Sequence, residues 1–267
     1  MPRPIHAKKH LGQNFLINPS VTERILTSAG LQSADTLIEI GPGKGVLTRH
    51  LPRCVAAVYA VEKDPRLAEH LKEDLSFDNL HVIEGDFLEL DLSRFGDPLK
   101  VLGNIPYNLS TPIVEKLVAS RNNVTEACLT VQKEFAGRLT AKADTKDYGA
   151  LSCYLQYYAD VTKLFDIHPK NFRPAPKVFS SFIRIHFRPP EQKAANEERL
   201  FKLIRHVFTH RRKKITNTLG GIVPKEDIQG ALERCGISES KRPDQIGVGE
   251  YVLLSNVLEG KNRAAGD

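Results

Sequence analysis

The chain has 267 residues, 41% hydrophobic and 26% charged, a balance that excludes a disordered or fibrous protein and supports a packed core without staples. Its net charge of +6 is compatible with a polyanionic partner and does not require one. Cys54, Cys128, Cys153 and Cys235 are scattered without metal-ligand spacing, Met1–Phe15 lacks the apolar segment of a secretory signal, and no run is long enough to cross a bilayer. The expectation is therefore a cytoplasmic protein with no structural metal and no membrane partner.

In chain order, short apolar and β-branched runs at 37–40, 57–61, 81–84, 100–102 and 127–131 predict strands. The intervening segments 21–30, 45–51, 65–75 and 112–119 predict helices. Strand and helix alternating at this spacing point to an α/β protein with a parallel, doubly wound sheet. The alternating runs 161–167 and 180–187 predict the last, antiparallel strands of that sheet. Arg188-Pro189-Pro190 then breaks the pattern, and only helical periods follow, at 197–219, 225–234 and 248–258. The charge shifts at the same place: residues 1–187 carry 23 Lys+Arg against 21 Asp+Glu, and residues 188–267 carry 15 against 11. The chain accordingly divides into an α/β domain, 1–188, and a small all-α domain, 189–267. The tail Lys261–Asp267 is expected to fray.

The ends of the first three strands carry related chemistry. Glu39-Ile40-Gly41-Pro42-Gly43-Lys44-Gly45 sits where the first strand meets the segment after it. Glycines there allow a tight bend and close approach of backbone to a ligand. Val46 stands where a dinucleotide fingerprint needs spacing for its third glycine, so the GxGxxG pattern is not matched. Glu62 ends the second strand, where a carboxylate can accept from ribose hydroxyls, and Asp86 ends the third, where one can accept from an adenine amine. Together they suit an adenosine-containing ligand; singly, each acid reads as a solvated loop residue or helix cap.

The fourth strand ends in Asn104-Ile105-Pro106-Tyr107. An exocyclic amine on a planar ring is a poor nucleophile because its lone pair is delocalised. Acceptors on its two N–H groups draw the nitrogen toward sp³ geometry and release that pair. The Asn104 side-chain oxygen is one acceptor, the carbonyl of Ile105 or Pro106 a second, and Tyr107 a face for stacking an extruded base. The competing reading is a rigid turn with Tyr107 in the core.

This tetrapeptide resembles the (Asn/Asp/Ser)-Pro-Pro-(Tyr/Phe) motif of amino-methyltransferases. Leu11-Gly12-Gln13-Asn14-Phe15-Leu16, Tyr148-Gly149, Gln156-Tyr157-Tyr158 and Phe172-Arg173-Pro174-Ala175-Pro176-Lys177-Val178-Phe179-Ser180 extend the likeness from about residue 8 to 258. The sequence is similar to the bacterial 16S rRNA adenine N6,N6-dimethyltransferase family, the kasugamycin-sensitivity type. That resemblance implies a Rossmann-like class I methyltransferase sheet, S-adenosylmethionine as cofactor and S-adenosylhomocysteine as product. It implies cofactor contacts at Gln13, Asn14, Leu16, Gly41, Gly43, Glu62, Lys63, Asp86, Phe87 and Asn104. Asn104, Pro106, Tyr107 and Phe172 would serve the reaction, with Tyr107 and Phe172 sandwiching the target adenine. The implied substrate is a pair of adjacent adenosines in a 3′-terminal hairpin loop of 16S rRNA, within an assembling 30S subunit, modified by a monomeric enzyme.

Between Arg199 and Ile215 lie seven Lys+Arg and no acid, with Arg211-Arg212-Lys213-Lys214 the densest run. An interrupted apolar stripe makes this an expected amphipathic helix whose basic face contacts RNA phosphates, against the alternative of a merely solvated face. His206 and His210, four apart, form a possible metal pair with no third ligand in sequence. The competing functions are a macrolide-resistance type 23S rRNA adenine methyltransferase, a NAD-dependent oxidoreductase disfavoured by the unmatched fingerprint, and a non-catalytic assembly or transcription factor.

Overall fold

The structure, a computed structural model, describes residues 7–8 and 12–264, with main chain alone from 261. Leu11 of the N-terminal motif, most of the segment examined for a leader, and the last three residues of the expected tail lie outside the described residues.

Nine strands and nine α-helices follow one another: β1 Phe15–Leu16, α1 Pro19–Ser28, β2 Thr36–Ile40, β3 Ala57–Glu62, α2 Pro65–Asp74, β4 Leu80–Glu84, β5 Leu99–Asn104, α3 Ser110–Ala119, β6 Val124–Gln132, α4 Lys133–Thr140, α5 Ala150–Tyr158, β7 Ala159–Ile167, β8 Phe172–Arg173, β9 Ser180–Phe187, α6 Glu197–Phe208, α7 Ile215–Leu219, α8 Lys225–Arg234 and α9 Val248–Ala264, all among the described residues. Seven strands form one sheet in the order β4-β3-β2-β5-β6-β9-β7. The first five run parallel and β9 pairs antiparallel with β6. This is the Rossmann-like arrangement expected, with its order reversing between β2 and β5. Leu37, Ile38, Val58, Ala60, Leu99 and Leu129 are buried, as parallel strands covered on both faces require. No described helix is long and apolar enough to cross a membrane.

The described chain forms two compact units. The first takes residues up to Ala136 together with Asp160–Arg188; the second takes Gly137–Ala159 together with Pro189 onward. A single cut after residue 188 is therefore not how the contacts divide, because a segment holding α5 belongs with the C-terminal helices. Its aromatic face explains this. Tyr154 and Tyr157 meet Phe201 of α6 edge-on at 4.8 and 5.4 Å, and the Tyr158 hydroxyl donates to Glu197 at 2.6 Å. Aromatic edge contacts of this kind add to simple burial. A segment that leaves a domain and returns has no marker in linear composition.

Three other expectations change. Residues 45–51 form successive turns closing in a 3₁₀ turn at Leu51–Arg53, not an α-helix. Left-handed Gly43 and Gly45 (φ +59° and +73°) oppose a helical start, and His50 N–H reaches only back to Leu47 carbonyl, at 2.9 Å. The expected helix 197–219 is two helices. The Thr209 hydroxyl donates to the His206 carbonyl at 2.6 Å and closes α6, so Arg211–Lys214 lie in the turn before α7 and not on a helix face. Helix α9 runs to Ala264, through residues expected to fray.

Two short strands escaped the periodicity: β1 pairs antiparallel with β8, Leu16 opposite Phe172. Two residues are too few to show a period of two.

Candidate active site

Parallel strands deliver their carboxyl ends to one edge, and ligands in such sheets bind where the strand order reverses. Here a cavity of about 210 Å³ opens at the carboxyl ends of β2, β3, β4 and β5, closed by the segment Gly12–Leu16. Gln13, Asn14, Leu16, Gly41, Gly43, Glu62, Lys63, Asp86, Phe87, Asn104, Pro106 and Tyr107 all line it. Twelve residues expected at one site from strand ends and motifs thus share one cavity.

The glycine corner is built for close approach. Gly41 and Gly43 hold φ of +63° and +59°, where a side chain is strained. A Cβ on Gly41 would meet no protein atom within 4 Å and would enter the cavity; one on Gly43 would press the Phe15 ring at 3.0 Å. Glu62, 5% exposed, binds both sides of this corner: one oxygen accepts from Gly43 N–H at 3.0 Å, the other from Asp64 N–H at 2.8 Å. Burial pushes its carboxyl up, opposed by those N–H bonds. Each oxygen keeps a lone pair for a further donor.

At β4 the Asp86 carboxylate accepts from Lys63 Nζ at 2.6 Å and from Leu88 N–H at 2.9 Å. Burial alone would raise it, but these donors hold it below the usual carboxylate range, and the pairing in turn raises Lys63. Lys63 and Asp86 therefore act as a pair spanning two strand ends.

Two buried acids without an assigned role complete this corner. Glu39 is 2% exposed, and its Oε2 lacks a hydrogen-bond partner, as does the nearby Thr48 Oγ1. Burial pushes Glu39 up to about 8, with the Glu62 carboxylate reinforcing. Asp64 is fully buried and takes Arg66 at 2.7 Å, Lys8 at 3.1 Å and the Gln13 amide at 3.4 Å. Arg66 above all, and then Lys8 and Gln13, hold its carboxyl far below the usual range against the opposing effect of burial. Asp64 thus ties Lys8 and Gln13 to the end of β3, with Gln13 Oε1 accepting from Lys8 N–H at 2.7 Å. Its signal was legible: Asp64-Pro65 is the N-cap and first residue of α2. Glu39 and Asp64 escaped a role because burial, not residue type, distinguishes them.

The reaction corner is arranged differently. Asn104 Nδ2 donates to the Asn14 carbonyl at 2.9 Å, which fixes the amide and leaves Oδ1 as an acceptor. Pro106 carbonyl accepts Leu109 N–H at 3.0 Å inside the turn. Tyr107, half-buried, shares a 2.6 Å hydrogen bond between its hydroxyl and Ser180 Oγ, and burial raises its phenol.

Phe172 is a correction. Expected over the target base, it is 3% exposed, does not line the cavity, and packs with Leu16, Ile25, Phe165 and Phe182. Pairing with β1 turns its ring into this apolar cluster, where burial of a phenyl ring is worth about 2–3 kcal/mol.

In the second unit, Arg212, Lys213 and Lys214 are exposed, whereas Arg211 is committed to Asp244 at 3.1 Å and to the Thr145 carbonyl at 3.2 Å. His206 Nε2 is bonded to the Thr218 carbonyl at 3.1 Å and His210 Nδ1 to the Thr209 hydroxyl at 2.9 Å. Among the described residues no group of three or more acids, histidines or cysteines could hold a metal.

The cavity fits an adenosine-bearing cofactor with a charged tail. It offers backbone space at Gly41, acceptors at Glu62 and Asp86 with lone pairs in reserve, and an unpartnered buried oxygen at Glu39.

Comparison with known proteins agrees with this geometry. The family model described as ribosomal RNA adenine dimethylase matches residues 5–259. The chain is 38% identical over 264 residues to the ribosomal RNA small subunit methyltransferase A of Clostridioides difficile strain 630, covering 95% of this chain and 91% of that one. It is 43% identical over 218 residues to the protein of that name in Chlorobium luteolum, covering 80% and 78%. Among solved structures it resembles a dimethyladenosine transferase from Plasmodium falciparum (TM-score 0.81, 26% identity, 94% of this chain and 98% of that one). It also resembles the 23S rRNA methyltransferase ErmE (TM-score 0.75, 28% identity, 92% and 100%).

Proposed function

This chain belongs to the ribosomal RNA adenine dimethylase family, and from that premise we propose that it dimethylates the N6 amines of two adjacent adenosines in a 3′-terminal hairpin loop of 16S rRNA. The small-subunit assignment rests on relatives identical at 38–43%, and the adjacent adenosines on family resemblance. The observation that carries the chemistry is the pinned Asn104 amide, whose free oxygen stands beside the glycine corner.

When bound, S-adenosylmethionine supplies an electrophilic methyl group and leaves as S-adenosylhomocysteine. Glu62 holds the ribose hydroxyls, and Asp86, with Lys63 and Phe87 beside it, the adenine. Gly41 and Gly43 would let backbone approach the methionine part, which Asn14 and Leu16 would help to hold. Gln13 acts through Asp64 to seat that segment.

Asn104 Oδ1 accepts one N–H of the target amine. The carbonyl of Ile105, or that of Pro106, which accepts Leu109 N–H with one of its two lone pairs, takes the other. Two acceptors restore the lone pair to nitrogen, and positioning then does most of the work. No strong base is needed, because the proton departs to water after the N–C bond forms. Tyr107 offers its ring to the extruded base, its tilt fixed by Ser180. Exposed Arg212, Lys213 and Lys214 contact RNA phosphates.

Labelled S-adenosylmethionine with unmethylated 30S and 50S particles, followed by mass spectrometry of the nucleosides, tests the proposal. Dimethyladenosine in 30S alone is the expected result. Label confined to 50S would replace it with the 23S activity that the likeness to ErmE suggests.

A further inference from the structure

From Ile167 to Pro190 the chain carries no acid, and it holds Lys170, Arg173 and Lys177, all exposed, before β9 begins. The same segment ends in Val178 and Phe179, each 45% exposed, in a unit whose other large apolar side chains are almost all covered. An exposed aromatic in a stretch that carries cations and no acid of its own, with Asp166 just before it paired to Lys133, is what single-stranded nucleic acid recognition uses, the ring stacking a base and the cations meeting phosphates.

Phe179 is exposed without being loose. Its carbonyl accepts Lys133 N–H at 2.9 Å, where β6 ends and β9 begins. The His168 ring meets it edge-on at 4.9 Å and 71°, and Lys133 Nζ lies 5.7 Å from its centroid. Lys133 is itself held by Asp166 at 2.7 Å. One side of the ring is thus supported by protein while nearly half of the residue faces solvent, the arrangement of a preorganised platform.

Its position ties it to the reaction corner. In register, Asn104 of β5 lies opposite Thr130 of β6, and Gln132 of β6 opposite Ser180 of β9. Phe182 is the residue of β9 level with Asn104, so Phe179 stands three residues beyond it, past the same sheet edge, displaced from Asn104 by two strand spacings across and about 10 Å along, roughly 14 Å in all. Ser180, the next residue, holds the Tyr107 hydroxyl. A base on Phe179 would belong to a nucleotide near the extruded one and not to the target itself.

We propose that Phe179, flanked by Lys133, Lys177 and Arg173, is a stacking site for an unpaired RNA base neighbouring the target adenine. This rests on the RNA-methylating function proposed above. Its consequence is that Phe179 fixes the register of the loop, so that the correct adenine meets Asn104.

The chain has no tryptophan, so Phe179→Trp keeps a stacking face and installs a single fluorescent reporter. Titration of this variant with an unmethylated small-subunit 3′ hairpin RNA should quench its emission, and Phe179→Ala should raise the KM for that RNA about 5- to 150-fold, the span of one lost base–aromatic stack. S-adenosylmethionine affinity should stay unchanged in Phe179→Ala, which also reports that the fold is intact, and Phe179→Tyr should restore the KM. Equal KM values for the wild type and Phe179→Ala, or Trp emission unmoved by saturating RNA that the variant still methylates, would overturn the proposal. A wild-type protein that methylates no rRNA at all would overturn the underlying function instead.

Discussion

The two ends of one cavity are built on opposite plans. At the cofactor end, the carboxylates of Glu62 and Asp86 already hold protein donors, and Asp64 is saturated by Arg66, Lys8 and Gln13. At the base end, Asn104 uses one donor and keeps its acceptor, and Tyr107 is half-buried; outside the cavity, Phe179 is 45% exposed. The cofactor end is thus assembled before its ligand arrives, whereas the base end leaves its valences for a partner. Preorganisation favours tight, repeated binding of a small molecule; open acceptors and rings suit a substrate that brings its own bulk.

Asn104→Ala is the sharpest way to break that contrast. It removes the acceptor proposed for the target amine, and methyl transfer should fall by about 10²- to 10³-fold. Cofactor affinity, read by calorimetry, should change far less; an equal loss in both would erase the distinction between the ends.

Glu62→Ala strikes the other end. The Gly43 and Asp64 N–H groups lose buried acceptors, and S-adenosylmethionine affinity should drop about 100-fold. With saturating cofactor, the turnover rate should largely recover. A turnover deficit that persists would show that Glu62 also shapes the reaction corner.

A third comparison separates paired from open cations in the second unit. Arg212→Gln with Lys213→Gln should flatten the salt dependence of RNA binding by about 0.7–0.9 per charge removed. Arg211→Gln should instead lower the unfolding midpoint through loss of the Asp244 pair, with little change in slope. Identical behaviour of the two variants would refute the division.

The last contrast concerns Glu39, which bears on stability and not on catalysis. Its folded pKa, about 8, lies above the ordinary value of 4.5, so the native state keeps a proton that the unfolded chain releases between those values. Stability from this group is therefore full below about pH 4.5 and is lost as pH rises toward 8, at up to about 1.4 kcal/mol per pH unit. Glu39→Gln should remove that slope in urea unfolding of the cofactor-free protein. Parallel pH profiles for the two proteins would mean that Glu39 is ionised throughout.

Much of this site could be read before any coordinates. Gly41, Glu62, Asp86 and Asn104 end consecutive parallel strands, and such strands can only deliver their ends to one edge. Phe172 was legible as a motif residue but not as a buried one, because its ring direction follows from pairing with two residues of β1, 156 positions away by sequence number for Leu16. The basic run Arg211–Lys214 was legible as charge but not as a turn, since a side-chain bond from Thr209 ends the helix. Asp64 was legible as the N-cap before Pro65 but not as a buried anchor, and only its surroundings single out Phe179.

By itself the sequence determined the alternation of strand and helix, the cavity's chemistry and the family, because these depend on periodicity and on residue types at fixed spacing. Tertiary structure alone decided that Gly137–Ala159 leaves the first unit for the second, that the Asn104 amide nitrogen is committed to the Asn14 carbonyl, and which aromatic rings face solvent. Those outcomes turn on long-range burial and on single hydrogen bonds between segments far apart in the chain, which no local pattern encodes.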